Sequence, residues 1–320
     1  MSFLALTALA IVRLKDLFAV VMLSGIYSLL SASFFLALDA VDVSFTEASV
    51  GAGISTLLFL ASLKLVGRYE KKSRYKPALA LSIVMVTGAL LVYGTMDMPH
   101  FSTADAPVHQ HVAPRYINDS MAEVGVPNIV TSVLASYRGF DTLGETLVIF
   151  TAGIGVMSLL LVSSETKDQS TKKVPADMRQ QIILRVVAKM MIPLILMFAL
   201  YVQFHGDYGP GGGFQAGVIF AAGVILYTML FGLSAARRVF KRQVLELLTA
   251  FGVLLYGGVG VVCMLMGGNF LDYNVLRHDP VHGQHLGILL VELGVGITVA
   301  SVMILLFFKF TWRTVKHKYK

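Results

Sequence analysis

Uninterrupted apolar runs of about 20 residues, the length of a helix that crosses a bilayer, recur along this chain and leave it few ways to fold. Eight such runs are read at 16–38, 43–64, 77–97, 141–163, 182–203, 212–234, 246–268 and 285–309. A ninth, 1–12, is too short to span upright and reads as a short, tilted or truncated helix. A cleaved signal peptide is its competing reading, opposed by the absence of a basic n-region and an A-x-A site before Arg13. Only 14% of residues are charged, against about 25% in soluble domains. The expected fold class is all-α: a polytopic transmembrane bundle of about nine spans. A β-barrel is set aside because barrel strands are short and alternate in polarity.

The net charge of +7 would suggest nucleic acid if the charges were scattered. They are not. Alternate connections hold 22 of the 26 Lys and Arg residues: Arg13 and Lys15, Lys64 to Lys76, Lys167 to Arg185, Arg237 to Arg242, and Lys309 to Lys320. The opposite connections hold Arg115, Arg138 and Arg277. The positive-inside rule then predicts an external N-terminus and a cytoplasmic C-terminus in the cell membrane. The basic residues report topology, and the predicted surroundings are the lipid bilayer and other membrane subunits rather than nucleic acid. The single cysteine, Cys263, allows neither a disulfide framework nor an iron–sulfur cluster, and no phosphate-binding loop is present. No cofactor is expected, and whatever energy the chain uses must come from an ion gradient or from a partner.

Between the sixth and seventh runs lies Phe204-His-Gly-Asp-Tyr-Gly-Pro-Gly-Gly-Gly-Phe-Gln-Ala-Gly217. Its consecutive helix breakers, Pro210 to Gly213, put a polar turn at a membrane boundary. Gly209, Gly213 and Gly217 recur every fourth residue, a spacing suited to close helix packing. His205 and Asp207 could relay protons or gather cations there. Segment 98–140 contains Pro99, Pro107, Pro114 and Pro127, which forbid one long helix; its end, near Asn128 to Tyr137, suits a short interfacial helix.

Ionisable residues inside membrane spans are costly and usually face a bundle interior or a water path. Glu47, opening the third span, reads either as such a residue or as a helix N-cap. Asp39 and Asp42 read as external loop acids, with Asp42 a secondary ion-path candidate. Asp141 and Glu145 are spaced i, i+4, on one helical face; two carboxylates so close would share a proton or cation rather than ionise together. The alternative is a structural Arg138–Asp141 pair with Glu145 in water. Lys189 precedes Pro193 by four residues and either flanks a kink or snorkels to the inner face. Glu246 pairs with Arg242 at the surface, whereas Glu292 has no nearby cation in sequence and is another secondary candidate. Thr46, Thr142 and Thr146 are expected to bond their own backbone. His282 and His285 are placed in an external connection, and no metal site is expected.

Three stretches carry a resemblance to one family, the multi-subunit, Mrp-type cation/proton antiporters. Leu38-Asp-Ala-Val-Asp-Val-Ser-Phe-Thr-Glu-Ala-Ser-Val-Gly-Ala-Gly53 resembles a motif near the C-terminal end of the family's large A-type component. Arg138-Gly-Phe-Asp-Thr-Leu-Gly-Glu145 is similar to a second motif just downstream in that component. The turn at 204–217 resembles the signature of the B-type component, and the same modules occur separately in membrane-bound hydrogenases. The resemblance implies an A-type tail fused to a B-type component: 1–76 with three spans, 77–165 with two spans around 98–140, a cytoplasmic linker at 166–181, and 182–320 with four spans. It implies a secondary-transporter subunit rather than an enzyme, with a set of partner subunits, Na⁺ and H⁺ as the transported ions, and an ion path through Glu47, Asp141 and Glu145; a membrane subunit of a redox-driven complex and a non-conducting assembly scaffold are the alternatives.

Overall fold

The computed structural model describes residues 1–71, 77–100, 102–161 and 182–317. The expected linker 166–181 lies outside the described residues, as do several of the basic residues used to predict topology. The longer helices are α1 (Ser2–Arg13), α2 (Leu17–Ala37), α3 (Val41–Val66), α4 (Pro77–Thr95), α5 (Gly139–Leu161), α6 (Ile182–His205), α7 (Gly213–Phe231), α8 (Arg242–Leu265) and α9 (Pro280–His317). Eight of these, α2 to α9, are long and apolar enough to cross a membrane. The 12 residues of α1 rise only about 18 Å, short of a hydrocarbon core about 30 Å thick.

The core is built around α9, which packs between α7 and α8 and also meets α5 and the C-terminal half of α3. Glycines let these helices approach to backbone contact. A Cβ placed on Gly217 would lie 2.8 Å from the Gly296 carbonyl oxygen, and one on Gly294 would lie 2.7 Å from that of Gly252. Gly213 is tighter still, seated on the Glu292 carbonyl. Gly209 does not share that contact; it sits in the turn against the ring of His205. The four-residue glycine spacing therefore continues along α7 but not back into the turn, because residues 206–212 are not helical.

The first two spans form their own pair. Asp16 caps α2 at the Phe18 amide and binds Arg68 through both guanidinium contacts, at 2.8 and 3.0 Å. The Leu17 amide donates to the Arg68 carbonyl, so the adjacent ends of α2 and α3 are tied together. Nearly all of α4 is exposed, as expected for an apolar helix whose surroundings are lipid or a neighbouring protein.

Three sequence expectations are corrected. Asp42 is not a loop acid: α3 begins at Val41, so Asp42 lies in its first turn and is partly buried. Glu47 does not cap a helix, because the helix is already under way; it opens a π-helical stretch, Glu47–Ser55, in the middle of α3. His282 and His285 lie inside the first turns of α9 rather than in a connection. In segment 98–140 the prolines interrupt the chain into short helices, with Pro107 opening Pro107–Gln110. The stretch near 128–137 is a helical turn, Ile129–Thr131, that continues as a π-helix over Ser132–Tyr137.

Candidate functional site

The 204–217 turn owes its shape to contacts that the other segments supply. α6 ends at His205 and α7 begins at Gly213, so the residues between them must have their polar backbone groups satisfied elsewhere. The Gly206 carbonyl accepts from Asn128 Nδ2 at 3.0 Å and from Thr131 Oγ1 at 2.7 Å. The Gly209 carbonyl also accepts from Asn128 Nδ2, at 3.0 Å. The Gly211 amide donates to Asp42 Oδ1 at 3.0 Å, and the Gly212 amide donates to the Val202 carbonyl at 3.1 Å. Gly212 has φ +119°, which a side chain would strain. One turn is thus held by α3, by the 98–140 segment and by α6.

Glu292 of α9 projects toward this turn. A Cβ on Gly212 would lie 3.1 Å from its Oε1, and a Cβ on Gly206 would lie 3.2 Å from its Oε2. The absence of side chains at these two positions leaves the carboxylate room against bare backbone. Around it stand Asp42 and Asp207, whose charges both reach it. Asp207 pairs with His285 at 3.5 Å. Gln215, buried at the start of α7, donates to Thr46 Oγ1 at 2.7 Å. Buried Gln203 lies one turn before Gly206 on α6.

His205 and Asp207 part company in the structure. His205 stacks on Tyr201 with centroids 4.8 Å apart and faces Tyr208 at 6.4 Å, continuing an exposed aromatic ladder from Phe198. Such a ladder at a helix end suits a membrane interface. Asp207 turns instead toward His285 and Glu292.

The other predicted acids stand apart from the turn. Arg138 binds Asp141 at 2.7 Å in an exposed pair, and Glu145, one turn along α5, is also exposed on the surface of this chain. Glu47 is partly buried, with its Oε1 and Ser28 Oγ each 2.6 Å from where a Gly51 Cβ would be, so it faces α2. Lys189 is exposed on α6, beside buried Ala188, and the helix runs on through Pro193 to His205. Thr46 and Thr146 bond carbonyls one turn back, while Thr142 donates to the Leu134 carbonyl at 2.8 Å, outside its own helix. Arg242 binds Glu246 at 2.6 Å, as the sequence suggested. Among the described residues no group of three acids, histidines or cysteines could hold a metal ion.

Sequence reasoning missed Asn128, Thr131 and Gln203. Asn128 and Thr131 act on residues 75 to 81 positions away. Their position just after Pro127, in the first turn of a predicted interfacial helix, was the only local signal.

Comparison with known proteins assigns the parts. Residues 183–305 match the family described as "Domain related to MnhB subunit of Na+/H+ antiporter". Residues 2–68 match the MbhD family and residues 76–174 the MbhE family, each described as a subunit of MBH. A putative antiporter subunit mnhB2 of Staphylococcus aureus is 32% identical over 126 residues, covering 38% of this chain and 89% of the relative. The chain belongs to the MnhB-related family. In this MnhB-related chain the family segment contributes α6 to α9 and the turn, and it is a multi-pass membrane protein. A probable K(+)/H(+) antiporter protein of Rhizobium meliloti, named as the A/B subunit, is 25% identical over 321 residues, 92% of this chain. The chain spans 32% of that relative's length. The Mrp complex of Dietzia sp. superposes with a TM-score of 0.76 at 24% identity, over 97% of this chain and 34% of that one, which establishes the shared fold.

Proposed function

We propose that this chain is a membrane subunit of a multi-subunit cation/proton antiporter, exchanging internal Na⁺ for external H⁺ within an assembled complex. The observation that carries this reading is the turn at 204–217. Segments that match three separately described families converge on it and bring Asp42, Asp207 and Glu292 together inside an apolar bundle. Ionisable residues kept within a membrane bundle commonly mark an ion pathway. A redox-driven complex is the second reading, favoured by the two matches to MBH subunits. The antiporter is preferred because a single antiporter relative runs along 92% of the chain in one order.

In this proposal Glu47, Asp141 and Glu145 belong to the ion path. The exposure of Asp141 and Glu145 supports placing them against a neighbouring protein of the complex, since carboxylates at membrane depth are not left facing lipid. Large antiporter-like subunits and small subunits are the partners. The test is Na⁺-dependent pH change in everted vesicles carrying the whole operon, with Glu145→Gln beside the wild type and complex assembly checked in both. Lost exchange in an intact complex is expected; unchanged exchange removes Glu145 from the path.

A further inference from the structure

An unpartnered acid and an unpartnered donor occupy the same helix seam. Glu292 is partly buried and accepts no hydrogen bond and makes no ion pair among the described residues. Gln203 is only 6% exposed, and its Nε2 has no hydrogen-bond partner among the described residues. Its Oε1 is pressed against Gly296, one helical turn along α9 from Glu292. Gly206, three residues past Gln203 and just beyond the end of α6, lies with Gly212 against the Glu292 carboxylate. The two groups therefore lie a turn apart between α6 and α9. A buried donor left without an acceptor is destabilising, so its persistence calls for an occupant or a role.

The surroundings narrow what that occupant is. From α3, the charge of Asp42 reaches Glu292, but its Oδ1 already accepts from the Gly211 amide. From the turn, the charge of Asp207 reaches it, and Asp207 is paired with His285. From α8, Tyr256 senses its charge, and the Tyr256 hydroxyl donates to the Gly139 carbonyl at 2.7 Å. α7 presents Gln215, whose amide donates to Thr46. On α6 the ring of His205 is stacked between Tyr201 and Tyr208 on the outer side. Among the described residues, no Lys or Arg is one of the groups whose charge reaches Glu292. A hard cation would need several oxygen ligands, and the neighbouring carboxylates are already engaged. One carboxylate with limited solvent access and no counter-charge is a site for a proton.

We propose that Glu292 is a proton-binding station of the exchange cycle, loaded past the Asp207–His285 pair, with the Gln203 amide as its positioning donor. This rests on the antiporter reading. The step is a proton transfer: a hydronium ion on the Asp207 side breaks one O–H bond and is left as water while its proton forms an O–H bond at a Glu292 carboxylate oxygen, and on release that bond breaks and the proton passes to another water. Gln203 Nε2 supplies a donor, through a water molecule, to the carboxylate that remains. Gly206 and Gly212 keep the carboxylate uncovered so that it can be reached.

The test uses the intact complex reconstituted in lipid and pH-difference infrared spectroscopy. A carboxylic-acid C=O band that titrates over the range in which exchange runs, and that is lost in Glu292→Gln, is the expected result. Gln203→Leu should keep that band but move its frequency and its midpoint, which a purely structural role would not do. The absence of any Glu292-dependent band overturns the proposal. In vesicles, Glu292→Gln should lose exchange with the complex intact, whereas Glu292→Asp, which keeps a titrating group, should retain part of it. Unchanged exchange in Glu292→Gln also overturns it. If the wild-type complex shows no cation/proton exchange at all, the antiporter reading fails, while the infrared titration still decides whether Glu292 binds a proton.

Discussion

Replacing Gly213 by alanine puts a methyl carbon onto the Glu292 carbonyl, 2.9 Å from Val295 Cβ and 3.0 Å from the Gly296 amide nitrogen. Two of these three neighbours are α9 backbone, which cannot rotate away as a side chain does. The helices must separate, and overpacking of this kind costs about 1–3 kcal/mol. Alanine's better helix propensity returns up to about 1 kcal/mol. Gly257 on α8 provides the internal control: a Cβ there meets nothing within 4 Å, so only the propensity gain operates. The two variants should therefore differ by roughly 1–3 kcal/mol although each adds the same atom. For a chain of this size that is a separation of several degrees in melting temperature, at about 2–4 °C per kcal/mol. The assay is thermal melting of the detergent-purified complex, followed by size-exclusion fluorescence. Gly213→Ala should melt lower than wild type and Gly257→Ala no lower. Equal melting of the two variants would refute the claim that α7 and α9 meet at their backbones.

Two further outcomes follow from the polar contacts. Asp42→Ala removes the acceptor of the Gly211 amide and should cost about 1.5–3 kcal/mol, the range for hydrogen bonds to charged groups. Hydrogen exchange should then speed up at Gly211 and along the turn, while amides in α8 stay protected; unchanged exchange at Gly211 would exclude the contact. Outside the spans, the Tyr137 hydroxyl donates to Glu123, and Arg115 binds the same carboxylate at 3.1 Å. The Tyr137 bond, then Arg115, hold the Glu123 carboxyl below its ordinary range, whereas burial and that bond push Tyr137 up to about 12. Glu123 is lowered on folding, so its stabilisation is present above the ordinary carboxylate value of about 4.3 and is lost as pH falls below it. Tyr137 is raised on folding, so its share is present below about 10 and is lost as pH rises toward 12. Protease resistance of the 107–137 segment should fall at both extremes, and Glu123→Gln should flatten the acid limb.

Span positions were legible in the sequence because membrane insertion depends on a local property, the length of an apolar run. The predicted run 182–203 and the helix Ile182–His205 differ by two residues, and the Arg242–Glu246 pair was visible because both partners lie on one helix face. Helix rotation was not legible. Whether Asp42 faces lipid or the turn depends on the angle of α3 about its own axis, and the π-helical stretch at Glu47–Ser55 shifts the usual 3.6-residue register there. The same blindness applied to Glu292. Its sequence neighbours are apolar, and the groups that define its surroundings lie 80 or more positions away at Gly206 and Gly212, or on α3. Glu145 carried a strong local pattern with Asp141, yet the fold leaves both on an exposed face. Local spacing identified a pair of acids; only the fold distinguishes acids that meet within this chain from acids turned outward.

The pattern of contacts at the turn bears on why three such segments occur in one polypeptide. The Gly206 and Gly209 carbonyls and the Gly211 amide find their partners on Asn128, Thr131 and Asp42, none of which lies in the segment containing the turn. Backbone groups left buried without partners cost free energy comparable to a lost hydrogen bond each. The 182–317 portion alone would carry that cost until the other two segments docked. As separate chains they would dock at whatever concentration the membrane supplied; joined, they meet at an effective concentration set by the connecting chain. Fusion leaves the chemistry of Asp42, Asp207 and Glu292 unchanged and acts on assembly instead. It makes the closed turn, with Glu292 set against its bare glycines, the state in which the chain is found rather than one it must wait to reach.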